Sequence, residues 1–206
     1  MNDIFAELQS GYYGVIAADP PWKFKARTAL QMRNWDSARD VEKHYDCLDL
    51  ESLCALPVNG LAAKDCHLFL WATGPCLHQA FAVMEAWGFR YSTVAFTWAK
   101  LRAAHDPLQM RVLPTLESDF HVGLGLTTRK NAEFVLLGRK GSPRRLRKDI
   151  RELIVAPRRE HSRKPDEFFD RVRAYAAGPY LELFSRQQRP GWDSWGNETT
   201  KFDEVA

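Results

Sequence analysis

The tetrapeptide Asp19-Pro20-Pro21-Trp22 has the residue types best suited to chemistry in this sequence. Each proline stiffens the chain and brings no N–H donor, which should leave the neighbouring carbonyl oxygens free. An acidic side chain and such a carbonyl can accept both hydrogens of an exocyclic amino group and point its lone pair at an electrophile. Trp22 could stack on the ring that carries the amine, which is worth about 1–3 kcal/mol. The competing interpretation is a strand-ending turn with a packing tryptophan.

A buried strand is needed to position this tetrapeptide. The apolar run 13–18 predicts one, and the two prolines end it. Further strands are predicted over 67–73, 91–98, 132–137 and 180–184, and helices over 49–56, 74–88 and 164–177. Strands that alternate with helices indicate an α/β domain with a mainly parallel central sheet flanked by helices. We expect residues 1–206 to form one domain, with a mobile loop at about 23–44.

Ligands of such sheets bind outside the carboxyl ends of the strands. The predicted strand 180–184 ends there in Ser185-Arg186-Gln187-Gln188, a second polar cluster. The sequence has no G-x-x-x-x-G-K-[ST] loop, and Gly123-x-Gly125 is not followed by the third glycine of a dinucleotide fingerprint. A P-loop kinase and a nicotinamide dehydrogenase therefore lose their support. No His or Cys pair has the spacing of metal ligands, so we expect no metal site.

Composition narrows the class of protein further. Hydrophobic residues make up 45% and charged residues 27%, as in soluble globular domains. No apolar run reaches the 18 residues of a membrane span, and the first residues lack the basic start and apolar stretch of a secretory signal. The four cysteines contain no C-x-x-C pair, which argues against a zinc ribbon and favours reduced thiols. We therefore expect a cytoplasmic protein.

The segment 139–164 is strongly basic. It holds eleven Lys or Arg and three acids, a charge of +8 against +3 for the whole chain. Clustering of this kind is typical of a polyanion-binding surface, although a solvated loop would look the same. We expect this segment to bind nucleic acid, with phosphate contacts from Arg139, Lys140, Arg144 and Arg145, and from Lys23 near the tetrapeptide.

The tetrapeptide after a buried strand resembles the signature of the N6-adenine methyltransferase family that includes the catalytic subunit of the messenger-RNA adenosine methylation complex. The similarity continues in family order between about residues 13 and 198. Its further parts are His67–Gly74, Ala86-Trp87-Gly88-Phe89, Asn131–Gly141 (like E-x-x-L-x-G-x-K-G), His161–Glu167 (like H-K-P-D-E with two residues inserted), Glu182–Arg186 (like E-L-F-G-R) and Trp195–Glu198. The resemblance implies a Rossmann-like, S-adenosylmethionine-dependent fold with permuted (β-class) motif order.

The resemblance also implies roles for single residues. Asp19 and the Pro20 carbonyl would hold the target amine, with Pro21 and Trp22 completing the catalytic motif. Lys164 would bind the methionine carboxylate of the cofactor, and Glu182 the ribose hydroxyls. Tyr45 would belong to a lid over cofactor and substrate. The remaining cofactor-binding residues implied are Asp3, Ile4, Asp19, Phe184, Arg186, Gln187, Gln188, Asn197 and Glu198.

The sequence departs from the messenger-RNA enzymes at Gln187-Gln188, where they have His-Asn, so the detail of cofactor binding differs. It also lacks the N-terminal extensions of the large eukaryotic members, and we therefore expect a compact bacterial or phage-type enzyme that prefers DNA to RNA. A homodimer is one open assembly. N4-cytosine methylation uses a similar motif, and a non-catalytic nucleic-acid-binding partner is the alternative outside enzymology. Asp19 and Trp22 favour the adenine enzyme.

Overall fold

The computed structural model describes residues 4–23, 47–102, 117–123, 128–160 and 162–203. Within these ranges the chain forms seven strands and three α-helices, together with short 3-10 turns. The strands are β1 (Tyr13–Ala18), β2 (Ala62–Ala72), β3 (Arg90–Leu101), β4 (Ala132–Lys140), β5 (Leu153–Pro157), β6 (Tyr180–Leu183) and β7 (Trp192–Trp195). The helices are α1 (Leu50–Cys54), α2 (Leu77–Ala86) and α3 (Asp166–Tyr175).

All seven strands belong to one mixed sheet in the order β5-β3-β4-β2-β1-β6-β7. β4 pairs antiparallel with both of its neighbours, β2 and β3, and the other four neighbouring pairs are parallel. The carboxyl ends of the six co-directional strands therefore meet at one edge of the sheet, together with the start of β4. We call this the carboxyl edge, and the opposite end of the sheet the amino edge.

Helices cover both faces of the sheet, and each face has its own apolar core. Leu53 of α1 and Val83 of α2 pack with β1 and β2 residues on one face. On the other face Phe168 and Val172 of α3 pack against Phe69 and neighbouring strand residues. Burial on both faces explains why β1 reads as a continuous apolar run rather than an alternating one.

The sheet flanked by helices confirms the predicted α/β architecture. All five predicted strands and three predicted helices are present, with ends shifted by up to five residues. Two strands, β5 and β7, were not predicted. β5 lies inside the basic segment 139–164 and divides it, so that segment is not one continuous loop. No helix among the described residues is long and apolar enough to span a membrane.

Candidate active site

The carboxyl edge brings together side chains that lie far apart in the sequence. Asp19 directly follows β1, and the neighbouring strand β6 contributes Glu182, which pairs in register with Ala17. On the other side of β1, the end of β2 lies beside the start of β4, which contributes Glu133. Lys164 precedes α3 and completes the group. Two adjoining clefts open here, both lined by Asp19, Trp71, Lys164 and Arg186.

Lys164 forms the centre of a chain of charges. Its Nζ lies 2.7 Å from Asp19 Oδ2 and 3.3 Å from Glu133 Oε2, and it sits 5.1 Å from the Trp71 ring centroid. Glu133 also accepts a hydrogen bond from Lys100 of β3. The Lys164 side chain is 11% exposed and that of Asp19 26%. Two acids and two bases therefore alternate at the carboxyl edge, and Asp19 is the acid beside the mouth of the cleft.

For Glu133 and Lys164, attraction between opposite charges affects the pKa more than burial does. Burial works to raise the pKa of Glu133, but Lys164 and Lys100 bring it down to about 2. Burial likewise works to lower the pKa of Lys164, and Asp19 and Glu133 raise it above its usual range instead. Glu133 and Lys164 are therefore charged at neutral pH, so Asp19 faces a permanent cation.

The hydrogen bonding of the prolines and the burial of Trp22 both differ from the prediction. The Trp22 N–H donates to the Pro20 carbonyl at 2.8 Å, and the Leu48 N–H donates to the Pro21 carbonyl at 3.0 Å. The expectation that these carbonyls are free of backbone donors is therefore wrong, although each oxygen keeps a second lone pair. Trp22 is only 4% exposed and donates its indole N–H to the Trp71 carbonyl at 3.0 Å. It forms a wall of the cleft and offers no open face for stacking.

Glu182 lines the cleft that adjoins the one walled by Trp22, and its electrostatic setting is different. Burial raises the pKa of Glu182 to about 7, against the opposing effect of Arg189. Arg189 Nε lies 3.6 Å from Glu182 Oε2, and neither atom has a hydrogen-bond partner among the described residues. A buried carboxyl with an unused oxygen is suited to accept hydrogen bonds from a ligand's hydroxyl groups.

The loop after β6 supplies three more of the predicted cofactor residues. Phe184, Arg186 and Gln187 all line the cleft beside Glu182. Phe184 has a φ of 60°, a left-handed conformation that non-glycine residues rarely adopt. The Ser185 N–H donates to the Trp195 carbonyl, and a Cβ on Gly196 would come within 2.7 Å of the Ser185 oxygen. Gly196 thus lets β7 approach the sharp turn that directs Phe184 and Arg186 into the cleft.

Other predicted cofactor residues lie near the cleft but do not line it. Glu198 pairs with Arg186 at 3.7 Å, whereas Asn197 is exposed. Ile4 is half exposed, and its carbonyl accepts the Trp195 indole N–H. Gln188 lines a separate pocket next to β7. Asp3, Tyr45 and His161, with loop residues 24–44, lie outside the described residues.

Four of the predicted phosphate contacts lie toward the amino edge of the sheet. Arg139 and Lys140 pair in register with His67 and Cys66, toward the amino edge. The Lys140 ammonium donates to the carbonyls of Asn59 and Ala62, which ties it to the fold. Arg144 and Arg145 follow on the same side, where the Leu146 N–H donates to the Tyr175 carbonyl at the end of α3. Along the strand direction Arg139 and Lys140 therefore lie about 13–17 Å from Asp19.

Basic residues do lie at the carboxyl edge, but they come from other positions. The Arg158 N–H donates to the Leu101 carbonyl at the end of β3, and its side chain is exposed. Lys130 lies beside Gly74, just after β2. Lys23, directly after the tetrapeptide, is exposed there as expected. The mouth of the cleft is thus basic, although most of segment 139–151 is elsewhere.

Four residues of the site were not predicted from the sequence: Lys100, Glu133, Arg163 and Arg189. A signal existed for Glu133, a charged residue that directly precedes the apolar run of β4. Lys100 is the second-last residue of β3 and likewise borders a largely apolar stretch. Nothing in the sequence distinguishes Arg163 and Arg189 from the other arginines around them. Among the described residues, no group of three or more His, Cys, Asp or Glu could hold a metal ion.

Comparison with known proteins adds independent information. Residues 13–198 match the MT-A70 family profile. The chain is 34% identical to the type II methyltransferase M.MunI of a Mycoplasma species, over 96% of this chain and 82% of that protein.

It is also 30% identical to the mouse N(6)-adenine-specific methyltransferase METTL4, over 94% of this chain but only 39% of METTL4. With a fungal N6-methyladenosine RNA methyltransferase, MTA1 of Cryphonectria parasitica, the identity is 28% over 98% of this chain and 56% of that protein. The resemblance found in the sequence motifs is thereby confirmed. The chain belongs to the MT-A70 family.

Proposed function

We propose that this protein transfers a methyl group from S-adenosylmethionine to the N6 amino group of adenine in nucleic acid, with DNA as the preferred polymer. The observation that carries the proposal is the Asp19 carboxylate, held 2.7 Å from Lys164 at the carboxyl end of β1. The relatives named above, a type II methyltransferase and N6-adenine methyltransferases, support the reaction class. The Mycoplasma type II methyltransferase is matched over 82% of its length, which supports a similar reaction here.

The residues of the cleft fit the proposed cofactor. The unused Glu182 oxygen suits a ribose diol, and Phe184 offers an apolar surface beside it. The Lys164 ammonium has three N–H donors, of which Asp19 and Glu133 engage two. The third is available for the methionine carboxylate, so Lys164 would bind the cofactor and hold Asp19 at once. When bound, the cofactor supplies a sulfonium methyl group that an amine can attack directly.

The chain's own residues then orient the amine. Asp19 accepts a hydrogen bond from one N6 hydrogen, and the remaining lone pair of the Pro20 carbonyl accepts the other. The nitrogen lone pair is thereby directed at the methyl carbon, an arrangement that removes several kcal/mol of barrier. Bound S-adenosylmethionine would supply the methyl group and keep the C–S electron pair on sulfur, and the proton that N6 gives up would leave through its hydrogen bond to Asp19. No covalent enzyme intermediate is needed.

The finer features of fold and assembly are part of the same proposal. The four parallel strand pairings support a Rossmann-like methyltransferase sheet. The catalytic Asp19 precedes the cofactor residue Glu182 in the chain, as permuted β-class order requires. Four free cysteines support a cytoplasmic location. We also propose a homodimer, a base pocket walled by Trp22, and a lid that includes Tyr45.

The test is methyl transfer from isotope-labelled S-adenosylmethionine to DNA and RNA oligonucleotides, with the product nucleosides identified by mass spectrometry. Labelled N6-methyladenine is expected, more on DNA than on RNA, and Asp19→Ala should abolish it. Asp149→Ala is the matched control, because Asp149 is exposed and pairs only with Arg147 among the described residues.

The other outcomes separate the competing functions. Labelled N4-methylcytosine as the product would identify cytosine, and not adenine, as the target base. Absence of label on every oligonucleotide, together with no binding of the cofactor, would support a non-catalytic partner instead. The retained Asp19–Lys164 pair argues against a non-catalytic partner, because a protein without catalysis has no need to keep a partly buried ion pair.

A further inference from the structure

Two buried polar atoms face each other in the cleft without forming a hydrogen bond. Glu182 Oε2 and Arg189 Nε are 3.6 Å apart, and neither has a hydrogen-bond partner among the described residues. Buried polar atoms are nearly always hydrogen-bonded, and each unmatched one costs about 1–3 kcal/mol. Such a pair indicates that a ligand group completes the bonding.

The Arg189 side chain is fixed on its other sides. One Nη donates to Asp166 Oδ1 at 2.8 Å, and the other to Gln187 Oε1 at 3.3 Å. The guanidinium also lies 3.8 Å from the Phe169 ring centroid. These contacts hold the Nε–H edge toward Glu182, so the donor is pre-oriented and can bind a ligand without loss of side-chain freedom.

We propose that Arg189 is a cofactor-binding residue that holds the ribose diol jointly with Glu182. One ribose hydroxyl donates to the Glu182 carboxylate and accepts a hydrogen bond from Arg189 Nε. A hydroxyl group can do both at once, which satisfies the two unmatched atoms together. This inference rests on the proposed function, because it takes the ligand of the cleft to be a nucleoside.

The positive charge of Arg189 also acts on the pKa of Glu182, and so on the contact between Glu182 and the ribose. The groups that act on Glu182 are Arg189 and Lys164, which favour its carboxylate, Asp19, which disfavours it, and the Ser185 hydroxyl. Removing Arg189 should raise the pKa of Glu182 further. Since the deprotonated carboxylate is the better acceptor for the diol, cofactor binding should weaken at neutral pH and recover as the pH rises.

The experiment is calorimetric binding of S-adenosylhomocysteine and its 2′-deoxy and 3′-deoxy analogues to the full-length protein, compared between wild type and Arg189→Met. In wild type, loss of the bridging hydroxyl should weaken binding roughly tenfold more than it does in Arg189→Met, which has already lost that bond. The midpoint of the pH dependence of binding should also move upward in Arg189→Met.

Arg173→Met is the matched control. Arg173 likewise ties α3 to the loop after β6, through the Pro190 carbonyl, but does not line the cleft. It should leave both the hydroxyl discrimination and the pH midpoint unchanged. Arg189→Lys, which keeps the charge without Nε, should restore the pH midpoint and not the discrimination.

The outcomes distinguish this inference from the proposed function. If each deoxy analogue loses affinity by the same factor in wild type and in Arg189→Met, Arg189 does not contact the ribose. The inference is then overturned, while the cofactor assignment stands. If wild type binds no S-adenosylhomocysteine at all, both fall. Thermal unfolding of each variant identifies any that have lost the fold, and for those Arg189→Lys carries the test.

Discussion

The two edges of the sheet use charge in opposite ways. At the carboxyl edge Asp19 and Glu133 are largely buried, and both pair with the buried Lys164. Toward the amino edge Arg139 and Arg145 are exposed and form no ion pair with any residue that the structure describes. Both edges are rich in ionisable groups, so density of charge alone does not identify the functional one.

Desolvation is the difference. Removing an ion from water costs several kcal/mol, and a paired ion recovers that only with close geometry. At the carboxyl edge the fold keeps two acids and two bases in contact with little exposure, so the desolvation cost is concentrated there. The exposed arginines incur almost none and affect stability little. The position of the desolvated charges therefore points to the reaction centre, and the count of charges in segment 139–164 does not.

The largest expected contrast between the edges comes from removing one cation at each. Lys164→Met leaves Asp19 and Glu133 without their shared cation, which should lower the free energy of unfolding by about 3–5 kcal/mol. It should also lower kcat by about 100- to 1,000-fold, because Asp19 loses its orientation. Arg139→Met, the matched change, should shift stability by less than about 0.5 kcal/mol. Urea unfolding and the methyl-transfer assay measure both.

A Lys164→Met protein that unfolds like wild type would show that Lys164 does not hold the two acids, and the carboxyl edge would then not differ from the amino edge in this respect. Lys164→Arg separates stability from catalysis. The guanidinium keeps the charge but not the position of the ammonium, so it should restore more of the stability than of kcat.

The position of the carboxylate after β1 could be predicted from the sequence, but the position of the basic segment could not. Apolar runs and proline punctuation located β1 and the carboxylate after it, because these are local properties of the chain. The basic segment was also recognised correctly as basic. Its position was not predictable, because it depends on β5 pairing with β3 across about fifty residues. β5 is five residues long and surrounded by charged residues, so its local signal is weak.

Site residues differ in the same way in how far their local sequence reveals them. Asp19 and Glu182 belong to short motifs at strand ends, and such motifs are visible in a sequence. The roles of Lys100 and Glu133 arise from strands brought side by side by the antiparallel β4. Trp22 was assigned a stacking face from its residue type, whereas packing against the core left it 4% exposed. Burial is a property of the whole fold and overrides the local preference.

A second prediction compares two carboxyl groups within the carboxyl edge. Glu133 has a pKa of about 2, below the usual value, so its stabilisation is present above about pH 4.5 and is lost as the pH falls toward 2. Glu182 has a pKa of about 7, above the usual value, so its effect on stability worsens as the pH rises from about 4.5 through 7. At pH 8, Glu133→Gln should therefore destabilise the unliganded protein, and Glu182→Gln should stabilise it.

The size of each effect should be about 1–3 kcal/mol, because each pKa lies more than two pH units from its usual value. Chemical denaturation at pH 5 and pH 8 tests the signs. For Glu182→Gln the gain should shrink at pH 5, where the wild-type carboxyl is already mostly protonated. Two variants that change stability in the same direction at pH 8 would contradict the assignment of opposite electrostatic environments to these neighbours.

The smallest expected effect separates the two halves of the basic segment. Arg158 at the carboxyl edge and Arg145 toward the amino edge are both exposed and without an ion pair among the described residues. If the nucleic acid enters at the mouth of the cleft, Arg158→Ser should remove about one phosphate contact. The slope of log affinity against log salt should then fall by about 0.9, which is roughly an eightfold loss of affinity at 0.1 M salt. Arg145→Ser should change neither quantity for a short duplex, measured by fluorescence anisotropy. Equal losses from both variants would mean that the polymer also contacts the amino edge, and the functional difference between the two edges would then be confined to the chemistry of methyl transfer.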